Sequence, residues 1–224
     1  MKPLFIESHA GKLFAIHYQT AHQNDARKAI IHIPAFAEEM NTSRKMVAIQ
    51  AREFARCDYD VLVLDLFGTG ESEGDFGDST WEIWLENINT AIDWLKHDGV
   101  ETITLWGMRV GALLAMNFAN RYPHRVHRLI SWQPVLNGDV FVTQFLRLRV
   151  AAAVMNNNAP REKTSDLKQQ LQTGITIEVA GYWLNPELIN PLIELRAEKL
   201  NLHSVANFTI FDNDVSGLVA TTSL

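Results

Sequence analysis

Cysteine occurs once in this 224-residue chain, at Cys57, so no internal disulfide can form and a reducing compartment is expected. Long apolar runs are missing: the longest, Val150–Met155, falls far short of the ~20 residues needed to span a bilayer. The opening MKPLFIESHAGKLFAIHY carries a lysine but no extended apolar stretch, and reads as two short strands rather than a signal peptide. A soluble, cytoplasmic protein without a transmembrane segment is the expectation. Basic blocks are missing too. The 20 Lys and Arg stand against 26 Asp and Glu, a formal charge of −6, which leaves no clustered cations for a nucleic acid. Neither repeats nor low-complexity segments occur. His124 and His127 stand three apart without an acidic or thiol partner and read as surface residues, so no metal is expected.

With 47% apolar residues the chain can bury one sizeable core. Strands alternate with amphipathic helices, the pattern of a mostly parallel sheet covered on both faces. Residues 4–8 and 12–18 form an opening hairpin, and 28–34, 60–66, 102–106 and 128–134 are further strands. Asn41, Thr42 and Ser43 offer caps for a helix through Arg56. Ser79 and Glu82 form a capping box for a helix over 80–97, with Trp81, Trp84, Leu85, Ile88, Ile92 and Leu95 in one stripe. A helix over 110–121 ends at Tyr122-Pro123.

Past Asn137 the alternation breaks. Helices are expected over 139–155, 165–174 and from Asn185-Pro186 towards Leu200, with a loop over 156–160 and a strand or irregular turn in ITIEVAGYWL. Phe141, Phe145, Leu148 and Ala152 would give the first of these helices its buried stripe. A strand returns at 206–212. The chain thus divides into a core of about 1–137 and 204–224 and a cap or lid of about 138–203.

Three segments carry the chemistry, in order: HIPAFAEEMN (32–41) after the third strand, DLFGTGESEG (65–74) after the fourth, and LWGMRVGALLA (105–115) after the fifth. Strand, Gly-x-X-x-Gly, helix resembles the nucleophile elbow of α/β-hydrolases, and the other two resemble that fold's oxyanion loop and its Asp-x-x-Gly-x-Gly-x-Ser turn. In finer detail, PAFAEEMN with SRKM, the LWGMRVGALLA elbow and WQPVLNGDVFVTQFLRLRVAA resemble the exosortase A system-associated hydrolase 2 group. That resemblance implies an α/β-hydrolase fold and a genomic setting beside exosortase and exopolysaccharide genes, but no substrate. DLFGTGESEG is not a dinucleotide site: its glycines have the wrong spacing, and Glu71, Glu73, Asp75 and Asp78 would repel a pyrophosphate. No cofactor is expected.

At the elbow's centre stands Arg109. A guanidinium is always protonated and its lone pairs are delocalised, so the acyl-enzyme route is closed there. Two readings remain. Arg109 is a fixed cation aimed at a carboxylate or phosphate, or it ion-pairs with Glu38 or Glu39 and plugs the pocket. An acidic pair in an oxyanion loop would repel a developing oxyanion, yet a carboxylate there could act as general base on water. The plainer alternative pairs one with Arg109 and the other with Arg44 or Lys45.

Asp212 or Asp214 would supply a triad acid. The last histidine, His203, precedes the seventh strand, and the chain stops at Leu224 before the family's usual histidine position. Ser72 and Ser131 have no evident histidine partner. Catalytic candidates are therefore Glu38, Glu39 and Asp212, and ligand-lining candidates Phe36, Met108, Arg109, Val110 and Trp132, with Trp106 beside Trp132 at the sheet's carboxyl edge. The expected partner is an anionic small molecule or a glycan or lipid intermediate. A seventh strand without a neighbour would need cover or a homodimer across the sheet edge.

Overall fold

The computed structural model describes residues 1–20, 27–155, 162–213 and 219–223; Asp214 and the expected loop over 156–160 lie outside the described residues. Ten strands and six helices follow in order: β1 (Lys2–Glu7), β2 (Lys12–Tyr18), β3 (Arg27–Ile33), α1 (Glu38–Arg56), β4 (Asp60–Leu64), α2 (Trp81–His97), β5 (Val100–Met108), α3 (Val110–Arg121), β6 (Arg128–Trp132), α4 (Gly138–Met155), α5 (Thr164–Gln172), β7 (Ile177–Val179), β8 (Tyr182–Leu184), α6 (Pro186–Glu194), β9 (Asn207–Asn213) and β10 (Val219–Ser223). Single 3-10 turns at Phe76–Asp78 and Ala197–Lys199 complete the set.

Eight strands form one sheet in the order β1-β2-β4-β3-β5-β6-β9-β10, and β7 pairs only with β8. Strands β4, β3, β5, β6 and β9 run parallel, and β1, β2 and β10 are joined antiparallel. The central strands read as apolar runs because both faces are covered: Ala29 to Ile33 of β3 and Ile103 to Met108 of β5 are buried throughout. The edge of β9, expected to need cover or a homodimer, is covered by β10, which pairs antiparallel from Val219↔Asn213 to Ser223↔Thr209.

Several local expectations are corrected. Helix α1 starts at Glu38, three residues before the predicted caps, on an N-cap Ala37 that offers no side-chain bond. Thr42 and Ser43 instead donate their hydroxyls back to the carbonyls of Glu39 and Met40, at 3.1 and 2.9 Å, a bond that short polar side chains make inside a helix as well as at its cap. For α2 the cap is Thr80, which accepts from Ile83 N at 3.1 Å, while Ser79 donates to the Phe67 carbonyl at 2.8 Å. The predicted stripe of α4 is broken. Phe141 is buried and Phe145 partly so, but Leu148 is exposed, and Val142 and Leu146 complete the buried face. ITIEVAGYWL resolves into the β7–β8 hairpin.

Beneath α1 the sheet carries an aromatic cluster. Trp106 of β5 is fully buried and meets His32 at 4.4 Å, Trp132 at 4.9 Å and Phe54 at 5.3 Å between ring centres. Burial pushes the His32 imidazole down to about 3, against a hydrogen bond to the Trp106 carbonyl that favours the charged form, and the charge of Arg44 adds to the depression. The folded chain thus refuses a proton that the unfolded chain takes up below about 6.5.

Stability should therefore fall as pH drops from about 6.5 towards 3, by at most about 1.4 kcal/mol per pH unit from this site. Urea unfolding across that range should show a shallower decline for His32→Gln, whose amide can still donate to Trp106. Equal slopes in the two proteins would contradict a neutral, buried His32.

Candidate functional site

The site is built where β5 turns into α3. Arg109 adopts φ 53° and ψ −119° between Met108, the last residue of β5, and Val110, the first of α3. For a residue with a β-carbon such a conformation costs about 1–3 kcal/mol and persists only when its surroundings fix it. They do so through the main chain. Arg109 N donates to the Trp132 carbonyl at 3.0 Å, and its own carbonyl accepts from Ala112 N and Val135 N, both at 3.1 Å.

The flanking glycines let α3 cross the sheet at close range. A β-carbon on Gly107 would lie 2.6 Å from Ala112 N. On Gly111 it would lie 2.5 Å from the Ile33 carbonyl oxygen and closer still to that of Pro34. The elbow and the loop after β3 are therefore in backbone contact, and only glycine fits between them.

That loop makes a matching turn. Ala37 has φ 52° and ψ −128°, within a few degrees of Arg109, and α1 starts from it as α3 starts from Arg109. Glu38 and Glu39 occupy the first turn of α1, where carboxylates favourably meet the positive end of the helix dipole. Arg109 Nε donates to Glu39 Oε1 at 3.2 Å, and Arg109 Nη1 donates to the Gln133 carbonyl at 3.2 Å.

The Arg109 side chain is 34% exposed and that of Glu39 40%, so the pair is wet. An ion pair of that exposure contributes about 0–1 kcal/mol. A guanidinium has five N–H donors, so about three remain for another acceptor. Glu39 Oε2, by contrast, is buried without a hydrogen-bond partner among the described residues.

Glu38 does not pair with Arg44 or Lys45 as one sequence reading had it. It is exposed and accepts from Asn41 Nδ2 and from the Tyr182 hydroxyl, each at 3.2 Å. Arg44 donates instead to Asp65 at 3.2 Å. Tyr182 comes from β8, and burial, followed by the hydrogen bond to Glu38 and its charge, raises its hydroxyl above the usual phenol range. Its ring meets Phe76 at 5.1 Å.

The remaining candidates separate. Phe36 is buried beneath α4, with its ring 5.5 Å from Phe141 and 5.3 Å from Phe145. Val110 is buried as well. Met108 and Trp132 line a cavity of about 440 Å³ beside the elbow, with Phe54, Gln133 and Asp212. Trp106 is not part of its wall.

Among the described residues no triad is assembled from the sequence candidates. His203 lines one cavity with Phe208 and Ile210, whereas Asp212 lines another with Thr209 and Phe211. Ser72 is held structurally: its hydroxyl donates to the Asp65 carbonyl at 2.7 Å and accepts from Phe14 N at 2.8 Å. Ser131 is buried, and its hydroxyl has no hydrogen-bond partner among the described residues. His127 accepts from Ile103 N at 3.3 Å, and the described residues hold no group of three potential metal ligands.

Two contributors went unmarked in the sequence reading. Gln133 follows β6 at φ 44° and presents its carbonyl to Arg109; its place before Pro134 was the only sign of a sharp turn. Tyr182 reaches Glu38 across 144 residues, a contact that no local pattern encodes.

Comparison with known proteins fits this geometry. The family model described as serine aminopeptidase, S33, matches residues 24–186. A search of curated proteins finds no match. Among solved structures, ferulic-acid-bound Est1E from Butyrivibrio proteoclasticus is 22% identical with a TM-score of 0.61, covering 88% of this chain and 72% of that one. Alpha/beta hydrolase domain-containing protein 10 from mouse is 17% identical with a TM-score of 0.55, covering 86% and 69%. An alpha-beta serine hydrolase homologue from Coxiella burnetii is 20% identical with a TM-score of 0.51, covering 59% and 62%. At these identities the structures establish a shared fold. No described helix is long and apolar enough to cross a membrane.

Gly111→Ala tests the crossing. The added methyl should force α3 away from β3, costing about 1–3 kcal/mol or more by overpacking against main chain that cannot rotate away. Thermal unfolding should show a clear drop relative to the parent. An unchanged midpoint would mean that the elbow and the β3 loop do not touch.

Proposed function

The chain belongs to the serine aminopeptidase S33 family of the α/β-hydrolase fold, and we propose that within it this protein is a receptor for an anionic ligand rather than a serine hydrolase. One observation carries the reading: Arg109 holds the raised position at the head of α3, at φ 53°, and its guanidinium keeps donors to spare. A carboxylate or phosphate arriving there would meet a planar fork of N–H groups that suits two oxygens at once. Glu39, bound only through Oε1, can yield to that ligand because the exposed pair is weak.

The segment 138–203 acts as a lid in this reading, with Phe141 and Phe145 closing over Phe36 and Tyr182 reaching Glu38. The resemblance to the exosortase-associated group supports a cytoplasmic role with an anionic glycan or lipid intermediate. A second reading has one observation in its favour. Glu39 Oε2 is buried and has no hydrogen-bond partner among the described residues, so a water admitted beside it with an anionic substrate on Arg109 could give it a proton.

Both readings meet in one set of measurements on the parent protein, Arg109→Ala, Arg109→Ser and Glu39→Gln. Phosphate and small carboxylates should raise the parent's melting temperature, and Arg109→Ala should weaken that binding by about ten- to a hundredfold, as for a lost charged hydrogen bond. A panel of p-nitrophenyl esters should show no burst of product with the parent. Turnover abolished by Glu39→Gln would favour the second reading. Turnover that survives Arg109→Ala, with no anion stabilising the parent, would overturn both.

A further inference from the structure

A separate cavity of about 190 Å³ lies between α1 and strands β2, β3 and β4; neither Arg109 nor Glu39 belongs to its wall. Its wall is apolar at Ile16 and Val63 and polar at His32, Ser43, Arg44 and Asp65. His32 is only 2% exposed. Its Nδ1 donates to the Trp106 carbonyl at 3.1 Å, which places the ring's lone pair on Nε2. Nε2 has no hydrogen-bond partner among the described residues, and the ring lines the cavity. Burial keeps that ring neutral at pH 7, so Nε2 is a permanent acceptor there.

The other polar groups fix what would complement it. Ser43 is already committed, donating to the Met40 carbonyl at 2.9 Å. Arg44 Nη2 bonds Asp65 Oδ2 at 3.2 Å, and the same carboxylate oxygen accepts from Glu71 N at 3.0 Å. Arg44 keeps further N–H donors, and it lines the same cavity as His32.

An anion entering would be opposed by Asp65, and a cation by Arg44. A hydroxyl group, which donates and accepts at once, satisfies both His32 and Arg44 without adding charge. The volume is below the roughly 300–1,000 Å³ of pockets that hold drug-sized molecules, which limits the occupant to a few carbons.

We propose that this cavity binds a small neutral polyol, one of whose hydroxyls donates to His32 Nε2 while an oxygen accepts from Arg44. The site is distinct from the elbow and does not depend on what Arg109 binds. His32 Nε2, a lone acceptor on a buried ring, then becomes paired on binding, which is the source of specificity for hydroxylated over apolar molecules.

Ligand-observed NMR on the intact chain, with glycerol, erythritol and sodium acetate as separate probes, tests this. Saturable binding of glycerol or erythritol is expected, with acetate weaker, and the ¹⁵N resonance of His32 Nε2 should move upfield as the polyol is added. His32→Leu should raise the polyol dissociation constant about tenfold, the worth of one hydrogen bond to a buried acceptor. Arg109→Ala should leave it unchanged. An absence of saturable polyol binding, an unmoved His32 resonance, tighter binding of acetate, or retained affinity in His32→Leu would each overturn the proposal. Should His32→Leu fail to fold, the resonance in the parent protein decides alone.

Discussion

The close crossing of α3 over the ends of β5 and β3 is the constraint on which the site depends. Gly107 and Gly111 leave no room for a β-carbon, so the first turn of α3 lies against the carbonyls of Ile33 and Pro34. A helix seated this near must leave its strand through a very sharp turn, and Arg109 takes the positive φ that the turn demands. Main-chain bonds to Trp132, Ala112 and Val135 hold that turn whatever side chain it carries. The geometry is therefore indifferent to chemistry. A scaffold of this kind can carry different side chains at the turn without rebuilding its backbone.

Electrostatics then explains the neighbours of Arg109. A cation at the head of α3 stands at the positive end of that helix dipole, an unfavourable place for it. The same turn geometry at Ala37 brings α1 to start nearby, and there Glu38 and Glu39 are favourably placed. Glu39 offsets the misplaced charge of Arg109, and the Gln133 carbonyl takes a further N–H. Glu39 is then understandable as the partner of a cation, where a site built for an oxyanion would exclude it, while Glu38 accepts from Asn41 and Tyr182.

What could be read from the sequence followed how local the determining interactions are. The period of Trp81, Trp84, Leu85, Ile88, Ile92 and Leu95 located α2, because burial along one stripe is a local pattern, and all six side chains are buried. The elbow was legible because strand, two glycines and helix lie within eleven residues. Caps were less so. Asn41, Thr42 and Ser43 can bond a helix's carbonyls from within as readily as its amides from the end, and Thr80 competes with Ser79 for one role. Contacts made only by tertiary packing left no trace: the Tyr182–Glu38 bond, the pairing of β10 with β9, and the separation of His203 from Asp212.

Helix α1 links the two polar regions of the molecule. Its first turn supplies Glu39 to the elbow, and one turn further on Arg44 reaches Asp65 at the root of the glycine-rich turn. That carboxylate also accepts from Glu71 N, while a β-carbon on Gly70, at φ 56°, would displace the Asp65 carboxylate and the Arg44 guanidinium. The glycine-rich turn after β4, read in the sequence only as a family mark, thus fixes the position of α1 from below.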